Sequence, residues 1–208
     1  MVISNAPDSK FIFIHIYKNA GSSITRALYP FASNKWQIRM SPILTRVPSS
    51  WSAVRYNSHV GASELVADMG EANFKSYFSF AIVRNPWDWQ VSLFSYMRRH
   101  FWHHQKKLVH GFGSFEEYIE WRCKHEVRLQ KEFIYASDNK CLVSYVGRYE
   151  NLKQDFDDIC DMMNIEARLP HLNASAREPY KHFYTTRTQR LVREAFAPDI
   201  ELFGYEFD

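Results

Sequence analysis

The chain has 208 residues, enough to bury one substantial hydrophobic core, and we predict a single domain over residues 1–208. A content of 46% hydrophobic and 16% aromatic residues excludes an intrinsically disordered chain. The formal net charge of +3 is too small to indicate nucleic acid binding, so we predict no nucleic acid partner.

Cysteine spacing and hydropathy bear on the cellular compartment. Cys123, Cys141 and Cys160 are far apart and form no Cys-x-x-Cys pair, which argues against a disulfide framework or a zinc site. No apolar run approaches the roughly 18 residues that a membrane span needs, and the N-terminal residues lack the basic segment of a secretion signal. We therefore predict a cytoplasmic protein without a membrane span.

The first motif along the chain is a strand, a short turn and a helix. An apolar run, residues 11–16, predicts a strand buried on both faces, and residues 22–28 predict a helix with its apolar side chains on one face. Turn amides, the helix dipole and serine hydroxyls at such a junction favour an anion, so we predict a phosphate-binding loop. Its predicted binding residues are Lys18, Asn19, Ala20, Gly21, Ser22 and Ser23, with the positive charge supplied by Lys18.

The loop differs from the nucleoside triphosphate loop, in which a glycine lies four residues before a Gly-Lys-Ser/Thr triplet. Here the lysine precedes the glycine, and no glycine occurs earlier. The stretch from His15 to Ser23 instead resembles the sulfotransferases that use 3'-phosphoadenosine 5'-phosphosulfate (PAPS), in the branch that contains carbohydrate sulfotransferases and small bacterial relatives. In that family a His-x-x-Lys-[Thr/Asn]-[Ala/Gly]-Gly-[Thr/Ser]-[Ser/Thr] loop holds the 5'-phosphosulfate. The alternative is an ordinary strand–turn–helix junction with a surface lysine.

A candidate catalytic base follows. Residues 53–61 predict a short strand ending at His59, and residues 62–69 predict a helix that Gly70 ends. Catalytic side chains of α/β sheets gather beyond the carboxyl ends of the strands, and imidazole titrates near neutral pH. This segment resembles the one that carries the family's histidine base, which implies that His59 takes the proton of the acceptor. His15 is the competing histidine, and we expect it to be hydrogen-bonded near the core.

The second motif begins with another predicted buried strand, residues 78–83, and Arg84 follows at its carboxyl end. Asn85 suits the N-cap of the next helix and Pro86 its first position. A guanidinium at the strand end and the Ser92 hydroxyl two turns into the helix can grip one phosphate from two sides. An Arg-[Asn/Asp]-Pro sequence with a serine eight residues after the arginine resembles the family's 3'-phosphate signature, which implies this role for Arg84 and Ser92. The alternative is a capped strand–helix junction.

The remaining segments carry weaker signals. A basic, aromatic loop, residues 101–113, has three histidines but no carboxylate or cysteine at a ligand spacing, so we predict no metal site. Farther on we predict helices over 114–124, 150–164 and 186–196 and a third strand over 141–149. The tail again resembles the family, and its basic residues Arg177 and Lys181 are candidates to close over the cofactor, with plain surface charge as the alternative.

Strand–helix units with buried strands predict a three-layer α/β fold around a mainly parallel sheet. The resemblance covers nearly the whole chain and implies the sulfotransferase fold, which is similar to that of P-loop NTPases. It implies in-line transfer of a sulfuryl group from PAPS to a hydroxyl of a carbohydrate or other small alcohol, with adenosine 3',5'-bisphosphate as product and no metal. A P-loop-type small-molecule kinase and a non-catalytic nucleotide-binding module are the alternatives. Residues 30–50 and 101–113 lack the resemblance and are candidate sites of acceptor specificity.

Overall fold

The computed structural model of the chain describes residues 1–35, 38, 59–100, 103, 105–170 and 178–208. They divide into two compact units. The first unit consists of Met1–Val83 and Glu132–Ala174, and the second unit consists of Arg84–Lys131 and Ser175–Asp208. A single domain over the whole chain stays a prediction.

Strands and helices are interspersed along the described chain. Its strands are β1 (Val2–Ala6), β2 (Ser9–Ile14), β3 (Phe78–Val83) and β4 (Tyr145–Arg148). Its α-helices are α1 (Gly21–Leu28), α2 (Ala62–Met69), α3 (Glu71–Lys75), α4 (Pro86–Arg99), α5 (Lys106–Gly111), α6 (Phe115–His125), α7 (Leu152–Met162), α8 (Thr186–Ala195) and α9 (Ala197–Phe203). Short 3-10 turns occupy Tyr29–Phe31, Lys131–Phe133, Tyr149–Asn151 and Tyr180–Phe183.

The sheet of the first unit has the strand order β1-β2-β3-β4. Strand β1 pairs antiparallel with β2, whereas β2, β3 and β4 run parallel to one another. Parallel neighbours require crossover connections, which here contain helices. These findings confirm the predicted α/β fold with a mainly parallel sheet.

The core of the first unit follows from the pleat of the central strands. Phe11 of β2 is level with Phe78 of β3, and Phe13 is level with Phe80, so aromatic side chains from both strands reach one face of the sheet. The Phe13 and Phe80 rings lie 5.1 Å apart and nearly parallel. Helices α1 and α7 cover this face, where the buried cluster includes Ile24, Ala27, Leu28, Phe156, Ile159 and Cys160.

The second unit has its own aromatic core. Trp87 and Trp89 of α4 are almost completely buried, and the Trp87 indole donates a 3.0 Å hydrogen bond to the carbonyl of Gln189. The ring of Phe94 lies 5.3 Å from Phe115 and 5.0 Å from Tyr118, which joins α4 to α6. Such contacts between aromatic rings contribute stability beyond the area that they bury.

Several element boundaries differ from those predicted. The predicted third strand, 141–149, is shorter, since only Tyr145–Arg148 pairs as a strand. Part of the predicted loop 101–113 is helix α5. The helices expected at 62–69, 114–124, 150–164 and 186–196 are confirmed within a few residues. The predicted strand before His59 lies outside the described residues.

Candidate functional site

The loop between β2 and α1 has an unusual backbone. Lys18 has φ 66° and Ala20 has φ 58°, in the left-handed region that residues other than glycine seldom adopt. The other two such residues in the described chain are Asn139 and Asn164, and asparagine tolerates this conformation. Left-handed residues beside right-handed ones turn successive amides toward one concavity that attracts anions. The strain of the loop therefore accompanies an arrangement suited to a phosphate.

Two contacts fix this loop to the first unit. Asn19 is only 1% exposed, and its side-chain amide donates a 2.8 Å hydrogen bond to the carbonyl of Ile82 near the end of β3. The amide of Ile24 donates to the carbonyl of Ala20, which closes the first turn of α1. The Ser22 side chain is exposed whereas Ser23 is buried, so Ser22 has the more accessible of the two hydroxyls.

The N-terminus of α1 suits an anion. Within the described helix Gly21–Leu28, no side chain caps the N-terminus and the first turn contains no acidic residue. First-turn amides have no acceptor inside their own helix, and the helix dipole adds positive potential there. Lys18 lies three residues before this helix and is partly exposed. Amides, a hydroxyl and an ammonium group form a donor set that fits a phosphate or phosphosulfate.

Gly21 is required by the neighbouring His15 ring. A Cβ atom at Gly21 would lie 1.7 Å from Nε2 and 1.9 Å from Cδ2 of His15. The His15 ring also stacks on Phe13 with ring centres 5.8 Å apart. His15 thus packs against Gly21, at the start of α1, and against Phe13 of the core, close to the core as we predicted.

Gly21→Ala is expected to lower the free energy of unfolding by about 1–3 kcal/mol, the usual cost of overpacking. Alanine ordinarily stabilises a helix relative to glycine, so the cost of the clash must exceed this gain in helix propensity. His15→Ala in the same chain removes the clashing ring and should make Gly21→Ala nearly neutral. Urea denaturation of the two single variants and the double variant measures this coupling. Gly111→Ala, where a Cβ meets nothing within 4 Å, is the control and should not destabilise the protein.

His59 is bonded to the backbone of the same segment. Its Nδ1 lies 2.9 Å from the carbonyl oxygen of His15. A carbonyl only accepts hydrogen bonds, so Nδ1 carries the proton and the neutral ring has its lone pair on Nε2. The tautomer is assigned from this bond. Nε2 is therefore the basic nitrogen of His59.

The surroundings of His59 favour the neutral form of its ring. Part of the ring is open to solvent, yet burial by neighbouring groups lowers the pKa of His59 below 6.5; the hydrogen bond to His15 partly opposes this and the amino group of Met1 reinforces it. Burial, the Met1 amino group, His59 and Lys18 hold the pKa of His15 well below 6.5. The ring of Tyr17 meets that of His59 edge-on at 5.9 Å.

In the second unit, Arg84 directly follows the last residue of β3. The residue is 4% exposed, and its Nε and Nη2 atoms lie 2.8 and 2.6 Å from one carboxylate oxygen of Asp88. Asp88 was not among the predicted site residues, although a spacing of four residues is a known signal for such an ion pair. The predicted cap is confirmed, since the Asn85 side chain accepts the amide of Trp87. Ser92 lies two turns into α4 and is partly exposed.

The predicted site residues are distributed over both units. Residues 18–23 and His59 belong to the first unit, whereas Arg84, Ser92 and Lys181 belong to the second. Lys181 is exposed in the 3-10 turn Tyr180–Phe183. Arg177 lies outside the described residues, as do most of the candidate acceptor segment 30–50 and parts of 101–113.

The described part of the chain contains no group of three or more histidine, cysteine, aspartate or glutamate residues that could hold a metal ion. None of its helices combines the length and the hydropathy needed to cross a membrane.

A family model described as "Sulfotransferase family" matches residues 3–206, which is nearly the whole chain. A comparison with curated proteins found no match. The matched range includes the loop after β2, His59, and the Arg84–Ser92 segment.

Proposed function

The chain belongs to the sulfotransferase family and transfers sulfuryl groups, and we propose that its donor is PAPS and its acceptor a hydroxyl of a carbohydrate or other small alcohol. The observation that carries the proposal is the link between the anion-binding loop and a histidine base. His59 donates from Nδ1 to the carbonyl of His15, which lies three residues before Lys18, so a hydrogen bond connects the proposed base to the backbone that leads into the proposed phosphate-binding loop. Sulfuryl transfer to a hydroxyl needs both.

The loop residues would hold the donor and stabilise the leaving group. PAPS supplies the sulfuryl group and a phosphate leaving group. The amides of residues 19–23 and the Ser22 hydroxyl would bind its 5'-phosphosulfate, with Lys18 neutralising the negative charge that grows on the 5'-phosphate oxygen. Arg84 and Ser92 would bind the 3'-phosphate, and Arg177 and Lys181 are candidates to close over it.

His59 would act on the acceptor. Its Nε2 takes the proton of the acceptor hydroxyl while the acceptor oxygen forms a bond to sulfur. The bond between sulfur and the 5'-phosphate oxygen breaks, and the products are a sulfate ester, adenosine 3',5'-bisphosphate and protonated His59. The scheme uses no metal. A cytoplasmic location remains a prediction from the sequence.

Calorimetric titration tests the donor. We expect tight binding of adenosine 3',5'-bisphosphate that needs no magnesium and that weakens about tenfold or more in Arg84→Ala, because a charge-assisted contact to the 3'-phosphate is lost. Arg98→Ala is the control, since Arg98 is an exposed arginine of α4, the helix that follows Arg84, and its guanidinium lies 5.4 Å from the centre of the Phe94 ring.

Other outcomes assign the protein differently. Stronger binding of ADP with magnesium would reject PAPS as the donor and favour a kinase. Binding of neither nucleotide would favour a non-catalytic member of the family. Equal weakening by Arg84→Ala and Arg98→Ala would remove the 3'-phosphate role from Arg84.

A further inference from the structure

A buried glutamine clamps the backbone of Arg84. The Arg84 amide donates a 2.9 Å hydrogen bond to Oε1 of Gln130, and Nε2 of Gln130 donates a 2.7 Å bond to the Arg84 carbonyl. The side-chain amide of Gln130 therefore forms the same pair of hydrogen bonds with the Arg84 backbone that a peptide group of a neighbouring strand would form. Gln130 is 0% exposed, so both bonds are shielded from water and strengthened by the low local dielectric.

The clamp is itself held by a buried carboxylate. Oδ2 of Asp199 accepts a 2.7 Å hydrogen bond from the backbone amide of Gln130, and Oδ1 accepts a 3.0 Å hydrogen bond from the backbone amide of Lys131. Asp199 is also 0% exposed and lies in the first turn of α9, where the helix dipole favours a negative charge. A buried carboxylate is costly unless it is hydrogen-bonded, and these two amides offset part of that cost.

Arg84 is thus fixed at both ends. Gln130 fixes its backbone, and Asp88 accepts two bonds from its guanidinium. A guanidinium distinguishes a phosphate from other groups only if its planar set of donors is held in a fixed orientation. Two fixed ends provide such an orientation before any ligand binds, which lowers the cost of ordering the side chain on binding.

We propose that Gln130, held by Asp199, is a positioning residue for Arg84 that makes the protein prefer nucleotides with a 3'-phosphate over those without one. The inference rests on the proposed role of Arg84 in donor binding. Arg84 would contact the 3'-phosphate, whereas Gln130, which is 46 positions away along the chain, would set the preference for it.

The preference is measured as a ratio of dissociation constants. Calorimetry on the full chain gives Kd for adenosine 5'-monophosphate and for adenosine 3',5'-bisphosphate, which differ only by the 3'-phosphate. Gln130→Met keeps the side-chain volume and removes both bonds to Arg84, so we expect the ratio to fall by about tenfold or more, through weaker bisphosphate binding. Binding of the monophosphate should change little, which distinguishes positioning from a general loss of structure.

Two further variants make the test decisive. Gln90→Met is the matched control, because Gln90 is also a 0% exposed glutamine of the second unit but its oxygen accepts from Tyr118, at 3.5 Å. It should leave the ratio at the wild-type value. Asp199→Asn keeps an acceptor for one of the two amides and should lower the ratio by a smaller factor than Gln130→Met. It also provides the answer if Gln130→Met does not fold, which thermal denaturation reveals.

The outcomes separate this inference from the proposed function. A wild-type protein that binds both nucleotides equally well overturns the use of PAPS and this inference together. A wild-type preference for the bisphosphate that persists in Gln130→Met and in Asp199→Asn overturns the inference alone. A Gln90→Met ratio as low as that of Gln130→Met would also reject it, because any buried glutamine would then have the same effect.

Discussion

Lys18→Ala is expected to lower kcat for sulfuryl transfer by at least about 100-fold, the usual loss when a charge that stabilises a leaving group is removed. The substitution isolates the charge. Lysine and alanine both have a Cβ and pay a similar cost at φ 66°, so the loop backbone should keep its conformation. Steady-state assays with PAPS and an acceptor found by screening measure the change, and the loss should appear mainly in kcat.

A second substitution separates catalysis from folding. Lys18→Gly relieves the left-handed strain but removes the same ammonium group. We expect it to lose activity as severely as Lys18→Ala, while urea denaturation shows a free energy of unfolding that is not reduced. An activity loss that simply follows a stability loss would point to a structural role.

The control for this prediction is Lys10→Ala. Lys10 is a lysine of β2 in the same unit, and its ammonium group donates to Ser76 at 2.6 Å and lies 4.1 Å from the centre of the Tyr77 ring. Its removal should leave kcat close to the wild-type value. Turnover near wild type in Lys18→Ala would exclude Lys18 from stabilising the leaving group.

The parts of the fold that could be predicted have local signals. Strand β2 contains the apolar run 11–14, β3 is apolar except for Ser79, and the Arg84-Asn85-Pro86 junction carries its cap in consecutive residues. Strand β1 was missed because Ser4 and Asn5 interrupt its apolar pattern at the edge of the sheet. Strand β1 forms because it pairs with β2 after the turn between Ala6 and Ser9. This pairing outweighs the weak intrinsic strand propensity of the β1 residues.

The candidate site likewise combines residues that the sequence could predict with contacts that it could not. The loop residues 18–23 were predicted from the strand–turn–helix pattern and the resemblance to the sulfotransferase motif, and the structure gives two of them, Lys18 and Ala20, a left-handed backbone beside the N-terminus of α1. The Nδ1 bond of His59 to His15 spans 44 positions, and the Gln130 bond to Arg84 spans 46. Neither contact has a sequence signal, because glutamine and backbone carbonyls occur throughout any chain. The tautomer of His59 and the hydrogen bonds that support Arg84 therefore could not be predicted from the sequence and follow only from the structure.

His59→Ala is expected to lower kcat by at least about 100-fold, because general-base catalysis contributes about 100- to 10,000-fold. The wild-type pH profile should carry the signature of the same group. Only neutral imidazole accepts a proton, so kcat/KM rises as pH increases through the pKa of His59 and is constant above it. Since the pKa of His59 is lowered from 6.5, the inflection should lie below pH 6.5.

The decrease of kcat/KM at low pH must be distinguished from unfolding of the protein. The pKa values of His15 and His59 are both lowered in the folded state, so the unfolded chain binds more protons and stability falls as pH decreases below 6.5. Circular dichroism at each pH defines the range in which the fold persists. Within that range His59→Ala should show no rising limb.

Chemical rescue and a matched histidine complete the argument. The His59 ring is partly open to solvent, so added imidazole can enter the space that His59→Ala leaves and is expected to restore part of the lost turnover. His125→Ala, which removes an exposed histidine stacked on Trp121 at 5.9 Å, should keep the wild-type rate and pH profile. A rising limb that survives in His59→Ala would assign the proton transfer to another group, and His15, whose carbonyl fixes the His59 tautomer, would be the next residue to replace.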